Sequence, residues 1–183
     1  MPVPRTLLLV STLALVAVVS AHAALKPGDS APEFTAEVAL AGNSARFTLS
    51  QALQRGPVVL YFFPKAFTSG CTVEAHQFAE ATPQFEALGA TVVGMSNDDI
   101  GTLKKFSVEA CRNKFAVAAD PGARTAKQYD ATLALLPGVA DRITYVIGRD
   151  GKVSYTFASL SPDGHVENAL KAVAALKKAA APR

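Results

Sequence analysis

The sequence predicts an α/β domain in which helices flank a mixed central sheet and a β-hairpin precedes that core. Two apolar runs, at 57–63 and 90–96, have the pattern of strands covered on both faces. Each run is followed by an amphipathic stretch, at 72–88 and 100–111, in which apolar residues recur at helical spacing. Strands that alternate with helices favour parallel pairing within one sheet.

Two turn sequences predict β-hairpins near the ends of the domain. Ala41-Gly42-Asn43-Ser44 joins strand-like runs at 34–40 and 45–49, and Asp150-Gly151 joins those at 143–147 and 152–157. The remaining elements are a short strand, a short helix and a closing helix, at 116–119, 123–129 and 166–178. This order of elements is that of a thioredoxin fold with an N-terminal β-hairpin extension.

The first residues have the composition of a secretory signal peptide. Arg5 precedes an apolar and small-residue run at 7–21, and Ala21-His22-Ala23 offers small residues at the positions that a signal peptidase reads. We therefore expect residues 1–23 to be a signal peptide cleaved after Ala23, and residues 24–183 to form one domain in the bacterial periplasm. An uncleaved membrane anchor is the alternative, although the run is short for a bilayer span.

Composition argues against several classes of function. The net charge is +3, and acidic and basic residues are interspersed, so no nucleic-acid partner is expected. The chain has two cysteines, Cys71 and Cys111, and three histidines, and their spacing does not match a zinc site. We therefore expect neither a metal nor a cofactor.

The segment YFFPKAFTSGCTVE, residues 61–74, carries the chemistry. A buried strand ends at Pro64, and a loop brings Cys71 to the start of the following helix. Unpaired amide groups and the helix dipole concentrate positive charge at a helix N-terminus, which favours a thiolate over a thiol. Cys71 is thus a candidate nucleophile.

Here the sequence resembles the peroxiredoxins, whose signature P-x-x-x-T-x-x-C is matched by Pro64, Thr68 and Cys71. It looks most like the PrxQ-type branch, that of the bacterioferritin comigratory protein. The resemblance extends over essentially all of the chain after residue 23, and its further matches include ATVVGMS, KKF, Asp120-Pro121, DRITYVI and DGKV.

The resemblance implies a role for each matching residue. Cys71 would be the peroxidatic nucleophile, Thr68 would hold the thiolate and peroxide through its hydroxyl, and Pro64 would shield the site. Arg142 stands where the family places an arginine near the thiolate, and Glu74 would orient that arginine. A fixed cation stabilises both the thiolate and the charge that develops on the leaving oxygen.

The resolving cysteine departs from one family pattern. Part of the PrxQ branch has it five positions after the peroxidatic cysteine, where this chain has His76. Other members place it on the next helix, which implies that Cys111 resolves the sulfenic acid. Two alternatives remain open: Cys111 packs in the core and an external thiol resolves Cys71, or Cys111 pairs between molecules.

The resemblance implies a thiol peroxidase that reduces hydrogen peroxide and organic hydroperoxides, with a thioredoxin-like or other thiol donor, as a monomer or dimer. One rival is an exported thioredoxin-like thiol-disulfide oxidoreductase, but that class needs a C-x-x-C pair, and Glu74 and Thr68 occupy the positions three residues from Cys71. Another rival is a non-enzymatic module braced by a Cys71–Cys111 disulfide. Peroxide consumption separates the three.

Overall fold

The computed structural model describes residues 24–180, which build a seven-stranded mixed sheet and a separate two-stranded hairpin. The strands of the large sheet are β1 (Thr35–Leu40), β2 (Asn43–Thr48), β3 (Val58–Phe62), β4 (Thr91–Ser96), β5 (Ala116–Ala119), β8 (Ile143–Ile147) and β9 (Val153–Ala158). The small hairpin consists of β6 (Thr132–Leu133) and β7 (Leu136–Ala140).

The sheet has the order β2-β1-β5-β4-β3-β8-β9. Its centre, β5-β4-β3, is parallel, and β1 and β8 add to either side in antiparallel orientation. Both predicted hairpins are present, as β1–β2 and β8–β9. The predicted thioredoxin fold with its N-terminal hairpin is therefore confirmed.

Helices cover both faces of the sheet, and alternation along β3 explains why. Val59 and Tyr61 point into one apolar cluster, whereas Val58 and Leu60 point into the other. The first cluster receives side chains from three helices, α2 (Ser69–Ala87), α3 (Ile100–Glu109) and α5 (His165–Ala180). The second receives them from α1 (Leu49–Arg55) and α4 (Arg124–Gln128). Because every residue of β3 is buried, its run is continuously apolar.

Two helix boundaries differ from the predictions in ways that affect the cysteines. Helix α2 begins at Ser69 instead of residue 72, so Cys71 lies inside its first turn. Helix α3 ends at Glu109, so Cys111 lies beyond the helix. Arg112 and Asn113 both adopt left-handed backbone angles, φ 50° and 59°, which cannot continue a right-handed helix.

The predicted signal peptide, residues 1–23, lies outside the described residues. Within residues 24–180 no helix is both long enough and apolar enough to cross a bilayer.

Candidate active site

Cys71 is the third residue of α2 and lies at the carboxyl end of the parallel strands. The cap residue Thr68 is extended, and the first hydrogen bond of the helix runs from Thr72 N to the Thr68 carbonyl at 2.9 Å. The amides of the residues before Thr72 therefore lack intrahelical partners. The Cys71 side chain is 2% exposed, which limits the competition of water for the sulfur.

The loop before Cys71 is fixed by a carboxylate at the end of the neighbouring strand. Asp98 Oδ2 accepts hydrogen bonds from Ala66 N and Ser96 Oγ, each at 2.8 Å. Phe67 adopts a left-handed backbone (φ 65°), and its ring packs edge-on against Phe106, with 5.2 Å between the centroids. These contacts hold the loop against the sheet and so determine where α2 begins.

Arg142 brings a cation to the Cys71 sulfur. Its Nη2 donates to Sγ at 3.3 Å, and its Nε donates to the Leu160 carbonyl at 3.0 Å. Its Nη1 forms an ion pair with Glu74 Oε2. Burial disfavours the Arg142 cation, but Glu74 and Cys71, when ionised, outweigh burial and raise the pKa of Arg142. The guanidinium is thus held by three contacts, and one of its N–H groups is directed at the sulfur.

Glu74 and His165 form the layer behind Arg142. Glu74 is fully buried one turn after Cys71, and burial raises its pKa to about 8 although Arg142 lowers it. His165 is also fully buried, and its Nδ1 lies 3.6 Å from Glu74 Oε1. The sequence analysis did not identify His165, because no local motif surrounds it and only the packing of α5 brings it to the site.

Thr68 and Pro64 lie in the loop that leads to Cys71. The Thr68 side chain is exposed, and its hydroxyl donates to the Lys65 carbonyl at 3.0 Å. The Thr68 hydroxyl proton is therefore directed at the loop in this structure, and the hydroxyl oxygen can still accept a hydrogen bond. Pro64 is half-buried two residues after the end of β3.

Cys111 is a free thiol in the same apolar cluster as Cys71, which is also free. It is 0% exposed, and burial raises the pKa of its thiol. The Tyr61 hydroxyl is buried in this cluster without a hydrogen-bond partner among the described residues; burial raises its pKa, and negative charge on either cysteine would raise it further. Cys111 is thus packed as a small apolar side chain in the reduced protein.

The sequence resemblance implied a cation beside a buried cysteine in the first turn of a helix, and Arg142 and Cys71 have this arrangement. The AhpC/TSA family model matches residues 27–156. The chain belongs to the AhpC/TSA family. Within this family it is a peroxiredoxin of the PrxQ type, as the following relatives show.

The chloroplastic peroxiredoxin Q of Oryza sativa subsp. japonica is 31% identical over 150 residues, which cover 81% of this chain and 67% of the relative. Peroxidoxin BcpB from Mycobacterium tuberculosis superposes with a TM-score of 0.73 at 34% identity and covers 83% of this chain and 98% of its own. PrxQ of Xylella fastidiosa superposes with a TM-score of 0.72 at 26% identity and covers 84% and 98%.

Proposed function

We propose that Cys71 is the nucleophile of this thiol-dependent peroxidase and that it reduces hydrogen peroxide and organic hydroperoxides. The observation that carries the proposal is the Arg142 Nη2 to Cys71 Sγ contact of 3.3 Å at a buried helix N-terminus. A cation and unpaired amides around one sulfur favour the thiolate, which is the reactive form.

The reaction follows from this geometry. The Cys71 thiolate attacks the terminal oxygen of R–O–OH, so an S–O bond forms while the O–O bond breaks. Sulfur is oxidised to a sulfenic acid, and the peroxide is reduced to an alkoxide or hydroxide that takes one proton from solvent. Arg142 and the free amides of α2 stabilise the negative charge as it moves onto the leaving oxygen. Thr68 can assist there by rotating its hydroxyl away from Lys65, and Pro64 shields the sulfur from water.

Loss of Cys71 tests this assignment. We expect Cys71→Ser to consume no peroxide in the presence of a thiol donor, because a serine hydroxyl is not ionised at neutral pH. Cys111→Ala is the matched control: it should still consume one equivalent of peroxide in a single turnover. Thiol-dependent peroxide consumption by the Cys71→Ser protein would contradict the assignment.

We further propose that Cys111 resolves the sulfenic acid after the segment around it opens. Condensation of its thiol with the Cys71 sulfenic acid would form a disulfide and release water. The burial of Cys111 requires the turn after α3 to leave the core first. Mass measurement after one equivalent of peroxide tests this step: an intramolecular disulfide supports it, whereas a Cys71 sulfenic acid with Cys111 still free assigns resolution to an external thiol, thioredoxin-like or other.

Export is a separate proposal that rests on residues 1–23 alone. Removal of this segment would leave one domain of residues 24–183 in the periplasm. N-terminal sequencing of the protein made in a bacterial host should give Ala24 as the first residue, in the periplasmic fraction. A membrane-bound product that keeps residues 1–23 would show that the segment is an anchor.

A further inference from the structure

Glu74 Oε1 is a buried oxygen that accepts no hydrogen bond from residues 24–180. Glu74 Oε2 pairs with Arg142, but Oε1 has no donor among residues 24–180, although the side chain is 0% exposed. A buried carboxylate oxygen without a donor is costly, because its charge has lost its hydration. Nδ1 of His165 lies 3.6 Å from it, beyond hydrogen-bond distance.

The hydrogen bonds of His165 fix which of its nitrogens carries the permanent proton. Nε2 lies 3.0 Å from the Ser159 carbonyl, which can only accept, so Nε2 must be protonated. In a neutral ring Nδ1 is then an acceptor, and the Thr144 hydroxyl donates to it at 2.8 Å. The neutral ring therefore offers no proton to Glu74 Oε1, and an ionised Oε1 would face a nitrogen that is itself an acceptor.

The charges of Glu74, Cys71 and Arg142 also favour an added proton at Glu74 and His165. An ionised Glu74 together with the Cys71 thiolate places two negative charges around the single Arg142 cation, and all three groups are buried. One added proton would neutralise this cluster and would also give the Oε1–Nδ1 gap its missing donor. A single proton on this pair would therefore both neutralise the charge and supply the missing donor.

We infer that Glu74 and His165 hold one proton between them and that this proton leaves the charge of Arg142 available to the Cys71 sulfur. His165 and Glu74 are thus positioning residues, since they act on the sulfur only through Arg142. The part of the inference that concerns peroxide reduction rests on the proposed role of Cys71, whereas the location of the proton does not.

The other groups that face the pair support a shared proton. Burial raises the pKa of Glu74 and lowers the pKa of His165, and both shifts favour the carboxyl as the site of the proton. Arg142 acts against protonation of both residues, and Asp141 favours protonation of His165. A thiolate at Cys71 adds negative charge nearby and favours retention of the proton. Tyr61, which also faces Glu74, is neutral because burial raises its pKa.

Nuclear magnetic resonance locates the proton without any turnover. The Glu74 carboxyl carbon and the His165 ring nitrogens are followed in the reduced protein between roughly pH 5 and pH 9. We expect one proton on the pair at neutral pH, either on Oε1 or on Nδ1, and a lower titration midpoint in Cys71→Ser, which removes the nearby negative charge. An ionised Glu74 beside a bare Nδ1 at neutral pH, or an unchanged midpoint in Cys71→Ser, would overturn the inference.

The pH dependence of the peroxide step tests the consequence. As the pair loses its proton at alkaline pH, ionised Glu74 competes for Arg142, so the rate constant of the wild-type thiolate should fall about tenfold. The side chain at position 74 of Glu74→Gln cannot titrate, so this variant should lack the alkaline fall in the rate constant, whatever its absolute rate. Glu80→Gln is the control, since Glu80 lies on the same helix and is exposed; it should keep the alkaline fall. An alkaline fall in the rate constant that persists in Glu74→Gln would contradict the inference. Absence of any peroxide consumption by wild type would instead refute the proposed function.

Discussion

At the scale of the residue, the proposed reactivity of Cys71 depends on the position of Arg142. Its three nitrogens each donate to a different acceptor: the sulfur, Glu74 and the Leu160 carbonyl. Only a planar guanidinium can hold all three at once. The cation is therefore fixed before any peroxide arrives, and the site needs no rearrangement to stabilise the charge of the transition state.

The first prediction is that Arg142→Lys slows peroxide reduction by about 100-fold, the usual cost of removing one preset donor at a developing charge. Lysine keeps the positive charge but cannot contact the sulfur, Glu74 and Leu160 together. Stopped-flow measurement of the peroxide step checks this. Arg112→Lys is the control, because Arg112 forms only an exposed ion pair with Glu80. Equal rates for Arg142→Lys and wild type would contradict the role of the guanidinium fork.

Gly70 supplies a second test of the same contact. A β-carbon at Gly70 would lie 3.1 Å from Arg142 Nη2, so Gly70→Ala should displace the guanidinium by a few tenths of an ångström and slow the peroxide step by about tenfold. Thermal unfolding should show no loss of stability, since alanine favours the helix. Gly101→Ala occupies the matching position in α3, where the added carbon meets Asp99 instead, and should leave the rate unchanged.

At the scale of the element, the termini of α2 and α3 set the environments of the two cysteines. The early start of α2 at Ser69 places Cys71 among unpaired amides. The early end of α3 at Glu109 places Cys111 in a tight turn, where its amide donates to the Phe106 carbonyl at 3.0 Å. Cys71 thus lies beside unpaired helix amides, whereas Cys111 lies in the turn that follows a helix.

The burial of Cys111 predicts a difference between two common replacements. Cys111→Ser puts an extra hydroxyl into an apolar cluster, so its free energy of unfolding should fall by about 1–3 kcal/mol more than that of Cys111→Ala. Urea unfolding of the reduced proteins measures both. Equal stabilities would mean that the residue is hydrated in the folded protein, and the turn would then need no opening before resolution.

The sequence predicts most elements because their apolar patterns are local. The buried run of β3 and the Asp150-Gly151 turn of the β8–β9 hairpin can each be predicted from a few consecutive residues. Helix α1 was missed because Leu49 ends a strand-like run and the helix has only seven residues. The β6–β7 hairpin was missed because Leu135 and Leu136 are exposed, against the usual preference of leucine.

The residues of the candidate site likewise divide into those that a local motif predicts and those that only the packing of distant segments brings together. Pro64, Thr68 and Cys71 belong to one contiguous motif, and Arg142 was expected only through the family resemblance. The Glu74–His165 contact joins α2 to the first residue of α5, and it depends on how the two helices pack. A buried polar contact between distant segments leaves no periodicity in either segment, so sequence reasoning had no signal for it.

At the scale of the whole molecule, the site exists only when the sheet and one helical layer are assembled. Helix α2 brings Cys71 and Glu74, the start of β8 brings Arg142, and α5 brings His165. Ionisation of these buried groups is therefore coupled to folding, and the stability of the protein must depend on pH.

Glu74 gives this dependence a definite sign. Burial raises its pKa from 4.5 to about 8, so within this window the folded protein holds a proton that the unfolded chain has released. The stability gained by protonation is full below the unfolded pKa and is lost as the pH rises through the folded pKa.

The difference in unfolding free energy between wild type and Glu74→Gln should accordingly change by about 1 kcal/mol per pH unit between roughly pH 6.5 and pH 8, with wild type becoming relatively less stable. Subtraction of the variant removes the contributions of titrating groups that do not interact with Glu74. The same difference for Glu80→Gln should be flat. A flat difference for Glu74→Gln would show that this carboxyl titrates alike in the folded and unfolded chains.

The central claim is that one sulfur, that of Cys71, reacts with peroxide. The most direct measurement adds one equivalent of hydrogen peroxide to the reduced Cys111→Ala protein with a sulfenic-acid trap, followed by peptide mass spectrometry. We expect a trapped adduct on Cys71, and at short reaction times we expect no adduct when Arg142 is also replaced by lysine. Unmodified Cys71 after the peroxide has been consumed would contradict it.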